Sequence, residues 1–161
     1  KGITMFKDEE NAIDRRYRAF RDERDATPNK LNGYAILWNN KTPFGQYFSL
    51  NTNFGDITKV NNLIRLNGDG FDSIGTVKAI KDDSGIFIEA TLHMNTPFEL
   101  QRLRSINILL AKGLLIFIAN PDMNKLNSHL GGYVSDKGEV TYWPLIDISL
   151  VPVPDVRNSS K

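Results

Sequence analysis

Residues 74–80 and 86–94 are two runs rich in strand-forming residues, separated by the polar linker 81–85, which ends in glycine. A short polar turn that contains glycine between two such runs indicates a β-hairpin. A tight hairpin commits its two strands to antiparallel pairing, so this feature constrains the fold more than any other in the chain.

Other short apolar runs extend this β-rich pattern, and most are bounded by turn residues: 34–38, 46–50, 63–66, 114–119, 140–143 and 145–151. Pro144 marks a bulge or break between the last two. Across residues 97–112, apolar positions recur at intervals of three and four, which predicts one amphipathic helix. Thr96 as its cap, Pro97 in its first turn and Gly113 as its stop fit these bounds. The pattern predicts a mainly β, α+β fold: a mostly antiparallel β-barrel with one or two surface helices.

Residues 1–30 form a charged segment ahead of these runs. Part of it, 14–25, fits a helix that places Ile13, Tyr17 and Phe20 on one stripe, and the same residues also alternate closely enough for an edge strand. Its arginines are interleaved with acidic residues. This mixture favours a solvated face with local ion pairs over a nucleic-acid surface.

Composition excludes several classes of function. The 161 residues fit one domain, and the absence of cysteine excludes disulfides, thiolate metal sites and cysteine nucleophiles. Twenty basic and nineteen acidic residues create no overall field that would attract nucleic acid or an anionic membrane. Two histidines without matched carboxylates give no basis for a zinc site, so we expect no metal and no cofactor. No apolar run is long enough to span a membrane and the first residues lack a signal-peptide pattern, so we expect a soluble intracellular protein.

Several short segments, in order, resemble the prohead maturation protease family of tailed bacteriophages. They are 32–35, 66–69 with 74–75, 82–86, 113–117, and 146–151 with the prolines that follow. The resemblance spans about residues 31–156 and implies the herpesvirus-assemblin-like prohead protease fold. It divides the chain into a charged N-terminal segment (1–30), a barrel domain (31–156) and a C-terminal tail (157–161). It also favours a strand over a helix before Gly33.

The resemblance identifies the positions of the family's catalytic site in this chain. Gly68 stands where the family has histidine, Leu115 where it has the serine nucleophile, and Asp147 where it has glutamate. Gly113 and Leu115 match the region of the oxyanion-stabilising amides. A serine peptidase needs a hydroxyl and an ionisable base, and leucine and glycine supply neither.

The resemblance therefore implies a catalytically inactive protein that acts as a binding or scaffolding element in capsid assembly. Its expected partners are phage coat and scaffold proteins, in the host cytoplasm or inside the prohead, with the helix at 97–112 as a candidate dimerisation surface. The alternative is an active serine endopeptidase that processes the capsid precursor, with catalytic residues substituted here or located at other positions.

Three side-chain groups have a structural alternative to a catalytic role. His93 is a candidate relocated base, although a structural strand histidine is favoured. Ser128 and His129 are adjacent, and because neighbours in an extended loop point apart, they are not expected to exchange a proton. Asp147 would be costly inside a closing strand unless it is hydrogen bonded, so we expect it to connect that strand to a neighbour.

Overall fold

A computed structural model describes residues 2–67 and 70–153. Its elements, in chain order, are α1 (Gly2–Ala26), β1 (Lys30–Leu37), a 3-10 turn (Ile57–Lys59), β2 (Asn62–Asn67), β3 (Gly70–Lys81), β4 (Gly85–Leu92), α2 (Pro97–Ala111), β5 (Leu115–Pro121), α3 (Met123–Asn127) and β6 (Leu145–Pro152).

The hairpin predicted from residues 74–94 is confirmed as β3 and β4. Asp82 organises its turn, because its Oδ1 accepts the backbone N–H groups of Ser84 at 2.8 Å and of Gly85 at 3.0 Å. The Tyr34 hydroxyl of β1 donates to Asp82 Oδ2 at 2.7 Å. A Cβ at Gly85 would lie 1.8 Å from the carbonyl oxygen of Ile36, so this close approach of β1 requires glycine.

The predicted amphipathic helix is confirmed as α2. Thr96 Oγ1 accepts the Glu99 N–H at 3.1 Å and Glu99 Oε1 accepts the Thr96 N–H at 3.1 Å, which is a capping box. Leu100, Leu103 and Ile106 are buried and belong to the same hydrophobic cluster as the inner faces of the strands. The helix therefore contributes directly to the core of the sheet.

The strands form one six-stranded sheet in the order β1-β4-β3-β2-β6-β5. All neighbouring strands pair antiparallel except β2 and β6, which are parallel. The sheet curls so that its two edge strands, β1 and β5, approach one another. The predicted fold class, a mostly antiparallel α+β barrel, is thus confirmed as a nearly closed mixed sheet with few helices.

The N-terminal segment differs from what the resemblance favoured. The strand expected before Gly33 is wrong over residues 14–25, because α1 continues to Ala26. Arg18 pairs with Asp14 one helical turn earlier at 2.9 Å, and Phe20 packs against the core cluster. Glu23 forms an ion pair with Arg104 of α2, which attaches the end of α1 to the body.

Two other predicted strands, 46–50 and 140–143, are also wrong. Both segments are extended loops that contact each other, since the Val140 N–H donates to the Tyr47 carbonyl at 2.8 Å. The described residues form only isolated bridges there, such as Tyr47 with Glu139. The polar connection after β5 also contains the short helix α3, capped by Asp122, which the sequence did not predict.

Candidate functional site

The family-matched nucleophile position, Leu115, is the first residue of β5. It pairs with Pro152 at the end of β6, and its half-buried side chain packs against the core cluster. An aliphatic side chain in this position extends the core and offers no group for covalent chemistry.

The family-matched histidine position, Gly68, lies outside the described residues. Its neighbour Asn67 ends β2. The parallel pairing of β2 with β6 covers Leu63 with Ile148 and Ile64 with Ser149, which lie before that end of the strand.

Asp147 lies far along the sheet from Leu115. It pairs with Asn120, five positions along β5 from Leu115, a separation of roughly 16 Å at the usual rise of a strand. No hydrogen bond can connect side chains at these two positions directly. The structure thus does not bring Asp147 together with the family-matched nucleophile position.

Asp147 instead connects β6 to β5. The Asn120 amide donates to Asp147 Oδ1 at 2.7 Å and to Ser149 Oγ at 2.6 Å, and Ser149 is buried. The expectation that Asp147 ties the last strand to a neighbour is therefore confirmed. Sequence reasoning missed Asn120 as the partner, because only the β5–β6 register reveals that it faces Asp147.

Gly113 ends α2 with a φ of +69°, in the left-handed region that favours glycine. Its N–H donates to the Leu110 carbonyl at 2.9 Å, and the Leu114 N–H donates to the Leu109 carbonyl at 2.9 Å. Both backbone N–H groups donate within the last turn of α2. The backbone N–H of Leu115 is therefore the first in this segment that does not take part in ending the helix.

The histidines lie in ordinary structural surroundings. The His93 side chain is half-buried, and the backbone N–H of this residue donates to the Ile74 carbonyl at 2.9 Å. The ring of His129 stacks on Tyr142 with centroids 4.1 Å apart, while the Ser128 hydroxyl donates to the Asn124 carbonyl at 2.8 Å. Ser128 and His129 therefore point to different partners, as their adjacency predicts.

The edge strands β1 and β5 face each other across a gap that we call the seam. Cα atoms of the two strands come within 8 Å, yet among the described residues no β-pairing connects them. Phe117 fills the middle of the seam, since a Cβ at Gly33 would lie 3.4 Å from its ring. The Phe117 ring therefore packs closely against the backbone of β1 at Gly33.

A cavity lies on each side of this Phe117 contact. One, about 190 Å³, is lined by residues around Gly33, Leu110 and Leu150, and the other, about 230 Å³, by residues around Ile36, Phe48 and Trp143. The described residues that line both cavities include no aspartate, glutamate, lysine or arginine. The seam is therefore an uncharged, largely apolar groove.

A larger cavity of about 450 Å³ lies between α2 and the β2–β3 strand pair. It is lined by Phe98 and Leu66 together with Arg65, Arg102 and Asp72, so its charges are of both signs. Arg102 is placed over the Phe98 ring, 5.6 Å from its centroid, and lies 4.0 Å from Glu99. This mixed lining selects no single class of ligand.

Comparisons of the chain with protein-family models, with curated proteins and with solved structures found no match. None of the helices in the described ranges is long and apolar enough to cross a membrane.

Proposed function

We propose that this protein is a catalytically inactive prohead-protease-like protein that binds coat or scaffold proteins during phage capsid assembly. The resemblance over residues 31–156 supplies the class of protein and of partner. The observation that carries the loss of catalysis is the leucine at position 115, where the family has its nucleophile. Its side chain packs with the core and has no hydroxyl.

The surroundings of Leu115 agree with a binding role. Asp147, which would orient a base, is roughly 16 Å along the strands from Leu115 and is engaged with Asn120. Binding an extended peptide requires only unpaired strand edges and a complementary surface, and no catalytic residues. A protease-like barrel can therefore keep a binding function after its chemistry is lost, because function resides in the site and not in the fold.

The test combines the purified chain with the coat and scaffold proteins encoded beside its gene. Size-exclusion chromatography follows complex formation, and intact mass spectrometry follows cleavage over time. We expect a stable complex with unchanged masses. A discrete truncated product would instead support the alternative, an active serine endopeptidase, and labelling by a serine-directed phosphonate would locate its nucleophile. Absence of both complex and cleavage would contradict the proposal.

A further inference from the structure

We infer that the seam between β1 and β5 receives an extended, uncharged segment of the coat or scaffold partner as an added β-strand. This inference rests on the proposed function and names the surface that would carry it. Its basis is the direction of backbone groups along the two edge strands, the course of those strands and the composition of the groove.

On β5, alternate residues present their backbone to the seam. The Val153 N–H donates to the Leu114 carbonyl at 2.8 Å, which makes that pair hydrogen bonded. In an antiparallel ladder hydrogen-bonded and non-hydrogen-bonded pairs alternate, so Leu115, Phe117 and Ala119 direct their N–H and C=O groups away from β6. The Ala119 carbonyl is occupied by the Trp143 indole at 3.1 Å. Among the described residues, no second strand pairs with β5 on the side that the backbone groups of Leu115 and Phe117 face.

On β1, the residues whose backbone groups face the seam are Asn32 and Tyr34. The Leu92 N–H donates to the Asn29 carbonyl at 2.8 Å, so the hydrogen-bonded pairs with β4 fall on alternate residues from 29 onward. Asn32 and Tyr34 therefore direct their backbone groups into the seam. In the described part of the chain no strand other than β4 pairs with β1, so this side of β1 is also an unpaired edge.

The course of the strands favours one orientation for an added strand. Following the pairings around the sheet, β1 and β5 run in the same direction. One segment placed between them can therefore run antiparallel to both, which gives it the better-aligned hydrogen bonds on each side.

The seam has to widen to admit this strand. Three adjacent strands span two spacings, about 9.6 Å, whereas Cα atoms of β1 and β5 come within 8 Å of each other. The strands would therefore separate by at least about 2 Å, and the Phe117 ring would move away from Gly33. No β-ladder between β1 and β5 has to break, because the described residues form none across the seam.

The groove composition defines the chemistry of the partner. Both seam cavities lack ionised side chains among the described residues that line them, so a buried charge on the incoming strand would remain uncompensated. Inward positions of the added strand should be apolar, and outward positions lie beside the exposed side chains of Ile116 and Ile118. The partner is thus an uncharged segment with alternating apolar residues.

The test uses a displayed library of random decapeptides, from which the tightest binder to the purified chain is synthesised. Hydrogen exchange measured by NMR should slow at least tenfold at the Phe117 and Tyr34 amides when this peptide is bound. Two copies, each N-methylated on one of the two sets of alternate amides, should both bind at least tenfold more weakly, because one set of the added strand faces β1 and the other faces β5. Gly33→Val, which forces bulk against Phe117, should weaken binding, whereas Thr76→Val on the outer face of β3 should not.

The outcomes separate this inference from the proposed function. A complex with coat or scaffold protein that leaves the Phe117 and Tyr34 amides unprotected overturns the seam inference and leaves the proposed function standing. A seam-binding peptide recovered without any coat or scaffold complex supports the seam and overturns the proposed function. If no peptide is enriched, or if the winning peptide tolerates N-methylation, the seam inference is wrong. Should Gly33→Val fail to fold, the N-methylated peptides test the unmodified protein.

Discussion

Thr52 joins two distant loops through a buried hydroxyl. Its Oγ1 donates to the Val140 carbonyl at 2.6 Å and accepts the Ser49 N–H at 3.0 Å. Thr52, Ser49 and Val140 are all buried. Replacing Thr52 by valine keeps the shape of the side chain and removes both hydrogen bonds, so a buried carbonyl and a buried N–H lose their partner.

The expected cost follows from those two groups. An unsatisfied buried donor or acceptor costs about 1–3 kcal/mol, so the two groups together should reduce the free energy of unfolding of Thr52→Val by about 2–6 kcal/mol. For a domain of this size that loss lowers Tm by roughly 4–24 °C. The matched control, Thr52→Ser, keeps the hydroxyl and loses one buried methyl group, which should cost about 1 kcal/mol.

Urea titration followed by tryptophan fluorescence measures both variants. Trp143 reports on the affected region, because its ring packs edge-to-face on Phe48, with centroids 5.3 Å apart. A valine variant that is no less stable than the serine variant would refute the reasoning, since it would show that the two backbone groups find other partners at little cost.

Three more substitutions test separate features of the fold. Gly85→Ala should reduce the free energy of unfolding, measured by urea titration, by about 3 kcal/mol or more, because the new Cβ would collide with the Ile36 carbonyl. Its control is Gly70→Ala, which has open space around it and should reduce the free energy of unfolding by under about 1 kcal/mol. Equal losses in the two variants would contradict this. Thr96→Ala removes the capping box of α2 and should reduce the free energy of unfolding by about 1 kcal/mol. The helical circular dichroism signal should then be lost at a lower temperature on heating, and an unchanged Tm would contradict the cap assignment. The hydrogen bonds from Tyr34 and from the Ser84 N–H lower the pKa of Asp82, so its stabilising contribution is complete above its ordinary pKa of 3.8 and is lost as the pH falls through the lower pKa of the folded state. Asp82→Asn should therefore flatten the acid limb of the stability–pH profile, and an unchanged slope would exclude Asp82 as its source.

Local signals predicted the elements whose bonds are made within a few residues. The capping box at Thr96 and Glu99 lies within one helical turn, and the Asp82 turn closes its hairpin through the next three residues. The helix α1 was also within reach of local reasoning, since Arg18 pairs with Asp14 four positions earlier. The residues of this segment fit both a helical period and a strand alternation, and the resemblance favours the strand, which is wrong.

Features decided by distant pairing could not be read from the sequence. Residues 46–50 and 140–143 have strand-like composition, but they meet each other in a loop instead of entering the sheet. The parallel pairing of Leu63 with Ile148 has no local signature, and neither has the contact between Asn120 and Asp147. The same limit applies to the seam, because only the closure of the sheet shows that Phe117 packs against Gly33.

The place of β6 between β2 and β5 also orders the assembly of the fold in time. The first four strands made during synthesis are neighbours in the sheet, so they can pair before the rest of the chain appears. Strand β5 emerges next but has no ladder partner until β6, which follows it, has docked on β2. We therefore expect β6 and β5 to dock after the first four strands and more slowly, because the loop between β2 and β6 is long. Before β6 docks, the apolar strand β5 would have two unpaired edges, which favours aggregation of the nascent chain.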